Sequence, residues 1–473
     1  MGAGSLSIWV HHLKHFEYLA AFTYGSYRGK AARVGAGLQA FDLNAEMARR
    51  NITLVVPGGT TVGVYGGYTQ GGGHSVFTSY YGLGADQVLS LQVVTADGRF
   101  ITADQNTNSD LFFALRGGGA GKFPFRFNVL AAFRLTIFIG NWGVVTSAIV
   151  KVYESTSYSE NKLSFETGKN SSVSTQAFWQ GVAVYHRHVT RIIDQRGQGF
   201  NYIRVTKDGG FNFQNSIWMP KMSPSELDKF SEPLYKDLRA VGIPITSSKS
   251  SLVDNYGARG LMRGAGDNAS NVLIASRLFP RENLEDEELF NATMRVIRKY
   301  VEEGGYTFHS NNYAPTEEVA GYPDNAVTAA FRNTVSHATA FDTRSAVGSK
   351  AEIKASFDRF QKYIQPWRDV SPTAGCYANE ASVMEPNWQW AFYGEHYPRL
   401  QRIKRSVDPW GLFYATTGVG SEEWEVRVPG ELKSQEGKLC KLARSSSTWQ
   451  WPEENTDSRL SRVGKNRQVR RRM

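Results

Sequence analysis

The sequence is poor in cysteine, with two in 473 residues. Two cysteines exclude a disulfide framework and a cysteine-rich metal centre, and they leave open a single bridge between Cys376 and Cys440. No stretch has the spacing of a metal ligand set, so no metal is expected. Long apolar runs are missing too. None approaches the ~20 residues of a membrane span, and no membrane partner is expected. There is no internal repeat. No leader peptide is evident, because Met1 runs through Gly-Ala-Gly into the apolar stretch Leu6–Val10. Sequons at Asn51, Asn170, Asn268 and Asn291 permit a secretory history, so localisation stays open. Acidic residues are fewer than basic ones, 44 against 54, for a formal charge of +10. Much of that excess lies at one end: from Lys441 to Met473 there are nine Lys or Arg and three acids. A polar basic end without apolar periodicity reads as a solvated tail, so no nucleic-acid partner is expected.

What is present fits a globular chain long enough for two or three domains, 41 % of it hydrophobic. Glycine is generous at 46 residues and crowds between Gly58 and Gly121, which marks loops needing close backbone approach. Up to Tyr153, short strands are predicted at Leu6–Val10, Ala32–Leu38, Leu54–Val56 and Leu89–Thr95, with a helix over Phe41–Arg50. Asp97-Gly98 predicts a hairpin turn ahead of Phe100-Ile101. From Glu154 to Pro366, helices are predicted at Ser174–Ile192, Ser223–Val241 and Glu285–Glu303. Strands are predicted between and after them at Phe211–Met219, Asn271–Leu278 and Asn325–Ala338. Another helix opens at Ser349–Ile364. Long helices alternating with such strands predict an α+β fold with helices on one sheet face. The expected units are 1–153, 154–366, an aromatic C-terminal segment 367–424 and the tail 425–473.

One segment fits none of this. Lys122–Gly140 interrupts a glycine loop with 19 residues, five of them phenylalanine and none acidic. Its spacing matches neither helix nor strand, and it reads as an anomalous insert of the kind a retained intron or gene-model error produces, the alternative being a genuine aromatic lid or membrane-touching loop.

With that insert set aside, Arg116-Gly-Gly-Gly-Ala-Gly121 runs into Asn141-Trp-Gly-Val-Val-Thr-Ser147. Upstream stand Val62-Gly-Val-Tyr-Gly-Gly-Tyr-Thr-Gln-Gly-Gly-Gly-His-Ser75 and Tyr81-Gly-Leu-Gly-Ala-Asp86. Downstream stand Tyr377-Ala-Asn-Glu380, Phe392-Tyr-Gly394, Tyr397-Pro-Arg-Leu400 and Asp408-Pro-Trp-Gly-Leu-Phe413. In this order the strings resemble the berberine-bridge-enzyme-like FAD-linked oxidoreductases, particularly the fungal ones. The resemblance implies an α+β chain with a PCMH-type FAD-binding domain. It further implies a substrate domain whose antiparallel sheet is covered by helices, and a C-terminal segment returning to the first domain. FAD is then the cofactor. Thr60, Thr61, Val62, Gly63, Gly67, Gly71, Gly72, Gly73 and His74, with Gly143, Val144 and Val145, are the residues that would hold it. Small residues suit this, since a diphosphate or flavin needs bare backbone N–H groups at close range. The dinucleotide fingerprint of a nicotinamide fold is absent. Tyr377 and Asn379 match the segment over the flavin, and Tyr377 is the candidate base if its phenol is shifted down. The implied reaction takes hydride from an alcohol, amine or related small molecule to the flavin and then to oxygen.

Two departures stand out. Family members often tether the flavin to a histidine in an Arg/Lys-x-x-Gly-His loop, and this chain begins just downstream of that position, so an N-terminally truncated cofactor domain is expected. The second tether, a cysteine, is replaced here by Thr60 or Thr61. His11 and His12 are read as packing or surface residues. Two outcomes follow: an active FAD-dependent oxidoreductase, or a silent relative that no longer binds FAD. The substrate and the oligomeric state are not legible. With no tethering residue, FAD is expected to leave the chain in acid or denaturant. Flavin fluorescence that stays with the protein band on a denaturing gel would contradict this.

Overall fold

In a computed structural model of the chain, residues 8–119, 141–169, 171–245, 249–262, 273–342, 349–427 and 437–442 are described. The Lys122–Gly140 segment lies outside them, as do the tail beyond residue 442 and the sequons at Asn170 and Asn268. No helix among the described residues is long and apolar enough to cross a membrane.

Two antiparallel sheets organise the chain. The first has five strands in the order Phe16–Tyr24, Tyr27–Gly35, Val144–Lys151, Val88–Val94, Phe100–Asp104. Its last pair closes through the Asp97-Gly98 turn, where Gly98 takes φ +81°. The helix Ala40–Arg50 buries Leu43 and Met47 against this core. Residues Cys376 to Val419 return to the same core through Phe392, Tyr393, Tyr397 and Leu400.

The second sheet has seven strands, in the order Ser251–Val253, Tyr158–Glu166, Phe211–Pro220, Gln198–Val205, Thr307–Asn312, Thr334–Asp342, Leu273–Pro280. Helices Thr175–Asp194, Pro224–Ala240, Glu287–Glu302 and Lys350–Asp369 share a core with it. Their starts are written in the sequence. Ser223 with Glu226, and Ser349 with Glu352, form capping boxes, while Ser174 and Asp286 accept from the third helical N–H. Phe178, Val182, Tyr185, Val189 and Ile192 then recur at helical spacing and are buried. Strand residues alternate: Ile203, Phe213, Phe308 and Ala338 join the helix-side core, so their neighbours face the other way.

The α+β arrangement is as expected, with local corrections. Ile8–Val10 forms no strand, because the Val10 carbonyl accepts from Leu13 N at 2.9 Å in a turn and backs closely onto Gly37. Leu54–Val56 is buried but unladdered, and Leu54 N donates to the Met47 sulfur at 3.1 Å instead. The Asn325–Ala338 prediction splits into the short helix Ala329–Arg332, capped by Thr328, and a strand that starts at Thr334. Cys376 and Cys440 are unbridged; Cys376 is buried and donates to Ser276 O at 3.0 Å.

An ion pair locks the two halves together. Asp86 and Arg332 make two hydrogen bonds, 2.7 and 2.8 Å, with the carboxylate fully buried and the guanidinium 3 % exposed. Leu83 N and the Asn325 amide donate to the same carboxylate, and Arg332 also donates to Pro315 O. Burial opposes the charge on Arg332, but Asp86 outweighs it and pushes the guanidinium above its ordinary pKa. Arg332→Met would strand Asp86 as a buried lone charge, at a cost of about 3–5 kcal/mol in urea unfolding. Adding Asp86→Asn should return most of it. A loss below about 1 kcal/mol in the single variant would show that the pair is not a structural lock.

Candidate cofactor and active site

Thr60–Gly63 runs beside the start of the helix Ala40–Arg50: Phe41 N donates to Thr60 O at 2.8 Å and Ala40 N to Val62 O at 2.9 Å. Thr60 is buried, and Thr61, Val62 and Gly63 are half-buried. A Cβ on Gly63 would meet nothing within 4 Å, so its bare backbone is open to the approach of a ligand. A turn over Val64–Tyr68 then delivers the Gly71–His74 loop. Gly72 and Gly73 take φ +109° and +78°, and a Cβ on Gly73 would sit 2.7 Å from the Tyr68 ring. Gly84 N and Ala85 N donate to Gly73 O and Gly72 O at 2.7 and 2.8 Å, binding the loop to the turn that Asp86 caps.

The C-terminal segment closes over this loop. The Asn379 amide nitrogen donates to Gly67 O at 3.0 Å and to the Tyr377 hydroxyl at 2.8 Å. It lies so close to Gly71 that a Cβ there would come within 2.3 Å of the amide. His74 Nε2 lies 2.9 Å from Glu380 Oε1. Gly143, Val144 and Val145 open the central strand of the first sheet instead. Val145 is buried, and Gly143, at φ +153°, fits against Val93. They are tied back by Trp142, whose indole donates to Gly118 O, and by Gly119 N, which donates to Gln70 O.

The seven-stranded sheet supplies the opposite wall from its helix-free face. His309 pairs in register with Tyr202 and stacks on its ring at 4.5 Å, and Asn311 pairs with His337. His337 is fully buried and packs edge-on to His74 and Tyr377 at 5.3 and 5.5 Å. Tyr313 stacks on His74 at 5.4 Å. Both ring nitrogens of His309 and His337, the Tyr313 hydroxyl and Thr339 Oγ1 are buried without a hydrogen-bond partner. Buried polar atoms are normally paired, so such a cluster fits a group that binds there.

The electrostatics bear on the candidate base. Burial, then the Glu380 charge, push the Tyr377 phenol up, and hydrogen bonds from Asn379 and Gly73 only partly offset them. A base would need the reverse shift, so the surroundings that the chain itself provides work against the phenolate. Burial also works to raise Glu380, although 34 % of its side chain reaches solvent. His74, with help from His337 and His309, outweighs this and holds the carboxyl down at about 2. Burial lowers His337 to about 4 and His309 to about 3, leaving both rings neutral.

The sequence pointed to His74, Tyr377 and Asn379, which the fold does bring together. It missed Glu380 as a partner of His74, although that residue stands in the same string. His337, His309 and Tyr313 carried no motif, and alternation along their strands was the only available signal. His11 and His12 lie at the surface beside Trp9, as expected.

Comparison with known proteins bears on this geometry. A family model described as "FAD binding domain" matches residues 4–104, and one described as "Berberine and berberine like" matches residues 376–420. The FAD-linked oxidoreductase patO of Penicillium expansum is 32 % identical over 438 residues, covering 91 % of this chain and 71 % of that protein. The VAO-type flavoprotein oxidase VAO615 of Thermothelomyces thermophilus is 31 % identical, with the same coverage. The crystal structure of the VAO-type flavoprotein MtVAO615 from Myceliophthora thermophila superposes with a TM-score of 0.76 at 28 % identity. That match covers 92 % of this chain and 74 % of the other.

The contact between Gly71 and Asn379 can be tested alone. Gly71→Ala must displace the Asn379 amide from both of its acceptors, for about 1–3 kcal/mol in chemical denaturation. In an Asn379→Ala background the same methyl should cost less than half as much. Equal costs in the two backgrounds would mean that the strain lies elsewhere.

Proposed function

The chain belongs to the berberine-bridge-type FAD-linked oxidoreductases, and from that premise we propose that it is an oxidase of a small alcohol or related organic molecule, with dioxygen as the final acceptor. Membership makes it an FAD-dependent oxidoreductase. For the substrate, the reading is supported above all by the hydrogen bonding of Tyr377; for dioxygen, by the likeness to a relative named as a flavoprotein oxidase.

The Tyr377 oxygen already accepts from the Asn379 amide and from Gly73 N. As a phenol, it then has its own proton left to donate. A donor of this kind, in a wall of buried unpaired imidazoles and hydroxyls, suits an oxygen-bearing substrate. On the same sheet face, where Tyr202 carries the stacked His309 ring, a cavity of about 390 Å³ opens between Phe200, Tyr202, Arg204 and Gln214, a size for a small organic molecule. Thr60–Gly63, Gly67, Gly71–His74 and Gly143–Val145 are the residues we assign to holding FAD. The bound flavin supplies the acceptor for a hydride equivalent and passes the electrons on. Tyr377 orients the substrate oxygen, Asn379 fixes the phenol, the unpaired imidazole nitrogens of the wall are the acceptors for the hydroxyl proton released with the hydride equivalent, and the Gly71–His74 loop with its cover excludes water.

The test is turnover of an alcohol and amine panel with an oxygen electrode and a peroxide assay. One peroxide per oxygen consumed is expected. Tyr377→Phe, which removes only the donor, should lower kcat/KM about tenfold, ~1.4 kcal/mol. If substrates reduce an artificial acceptor while oxygen uptake stays at background, the protein is a dehydrogenase and the oxidase reading is wrong.

A further inference from the structure

We infer that His74, His337 and Glu380 form a site for one divalent transition-metal ion of the zinc class, on the wall of the cofactor cleft. Each contributes one ligand atom, and these atoms lie within 4.8 Å of one another. His74 Nε2 is 2.9 Å from Glu380 Oε1, and His337 Nε2 is 3.7 Å from Glu380 Oε2. Ligand atoms about 2.0–2.2 Å from a tetrahedral ion stand roughly 3.3–3.6 Å apart, so small rotations of the three side chains would enclose one.

A bare hydrogen-bond network does not account for the trio. His337 is fully buried, and neither of its ring nitrogens has a hydrogen-bond partner. Its nearest carboxylate oxygen, at 3.7 Å, is beyond hydrogen-bond reach. An orphaned imidazole facing a carboxylate, with a second imidazole on the same carboxylate, is a donor set that favours zinc, iron, copper or nickel over magnesium and calcium. The three residues come from separate elements: the glycine loop, the strand Thr334–Asp342 and the turn Ala378–Glu380. Three protein ligands leave a fourth position for water or a substrate hydroxyl, and the Tyr313 ring, whose hydroxyl is unpaired, stacks on the His74 ligand at 5.4 Å.

Metal content decides this independently of turnover, so it survives or fails apart from the oxidase reading. The FAD-loaded full chain would be stripped with a chelator, equilibrated with zinc, desalted and measured by elemental analysis. About one zinc per chain is expected, and less than a tenth of that in His337→Ala and Glu380→Gln. Cobalt in place of zinc should give ligand-field bands to the red of oxidised flavin in the wild type alone. Should His337→Ala fail to fold, His74→Gln, at a partly exposed position, carries the same readout. A wild-type chain holding no more zinc than the variants would overturn the site.

Discussion

The Asp86–Arg332 pair is the constraint on which the site depends. Asp86 caps the Leu83–Gln87 turn, and that turn receives Gly84 N and Ala85 N into hydrogen bonds with Gly73 O and Gly72 O. Arg332 stands two residues ahead of the strand that carries His337. A single buried contact therefore sets the glycine loop of one sheet in register with a strand of the other. Two charges buried this deeply contribute little net stability over an apolar pair. What they add is geometry, because a bidentate guanidinium–carboxylate contact fixes both distance and plane.

Close approach does the rest. The Gly71–Gly73 loop is bare because other groups occupy the space that side chains would need: the Asn379 amide over Gly71, Phe331 over Gly72 and the Tyr68 ring over Gly73. Gly63 differs, since nothing in the chain fills its open side. Within one motif, glycine thus serves two purposes, internal packing and access for a bound molecule. The same split runs through the polar residues. The Asn379 amide N–H groups are both used by the chain, whereas His309, His337 and Tyr313 have polar atoms with no use inside it.

Much of this was legible in the sequence. Capping residues and helical periodicity placed the four long helices within a few residues, because those signals are local. The Asp97-Gly98 turn was readable for the same reason. Strand edges were less so: Leu54–Val56 looks like a strand but is buried without a ladder, and only the fold shows that Met47 takes its N–H. The glycine strings with Tyr377 and Asn379 located the site. Its second wall stayed hidden, since His309 and His337 gain meaning only once sheet register sets them beside Tyr202, Asn311 and His74. The Tyr377 phenol shows the limit of motif reading. The motif places the residue, but its protonation is set by burial and by Glu380.

The glycine loop and its cover are 306 residues apart in the chain where His74 meets Glu380. At about 5–20 residues per second, a ribosome needs on the order of 15–60 s to make the second after the first. Throughout that interval the loop lacks Asn379 over Gly71 and Glu380 beside His74, and for most of it also the strand that brings His337. Contacts of such long range also form late in refolding. The two walls of the cleft can thus meet only once the chain has been made as far as Glu380.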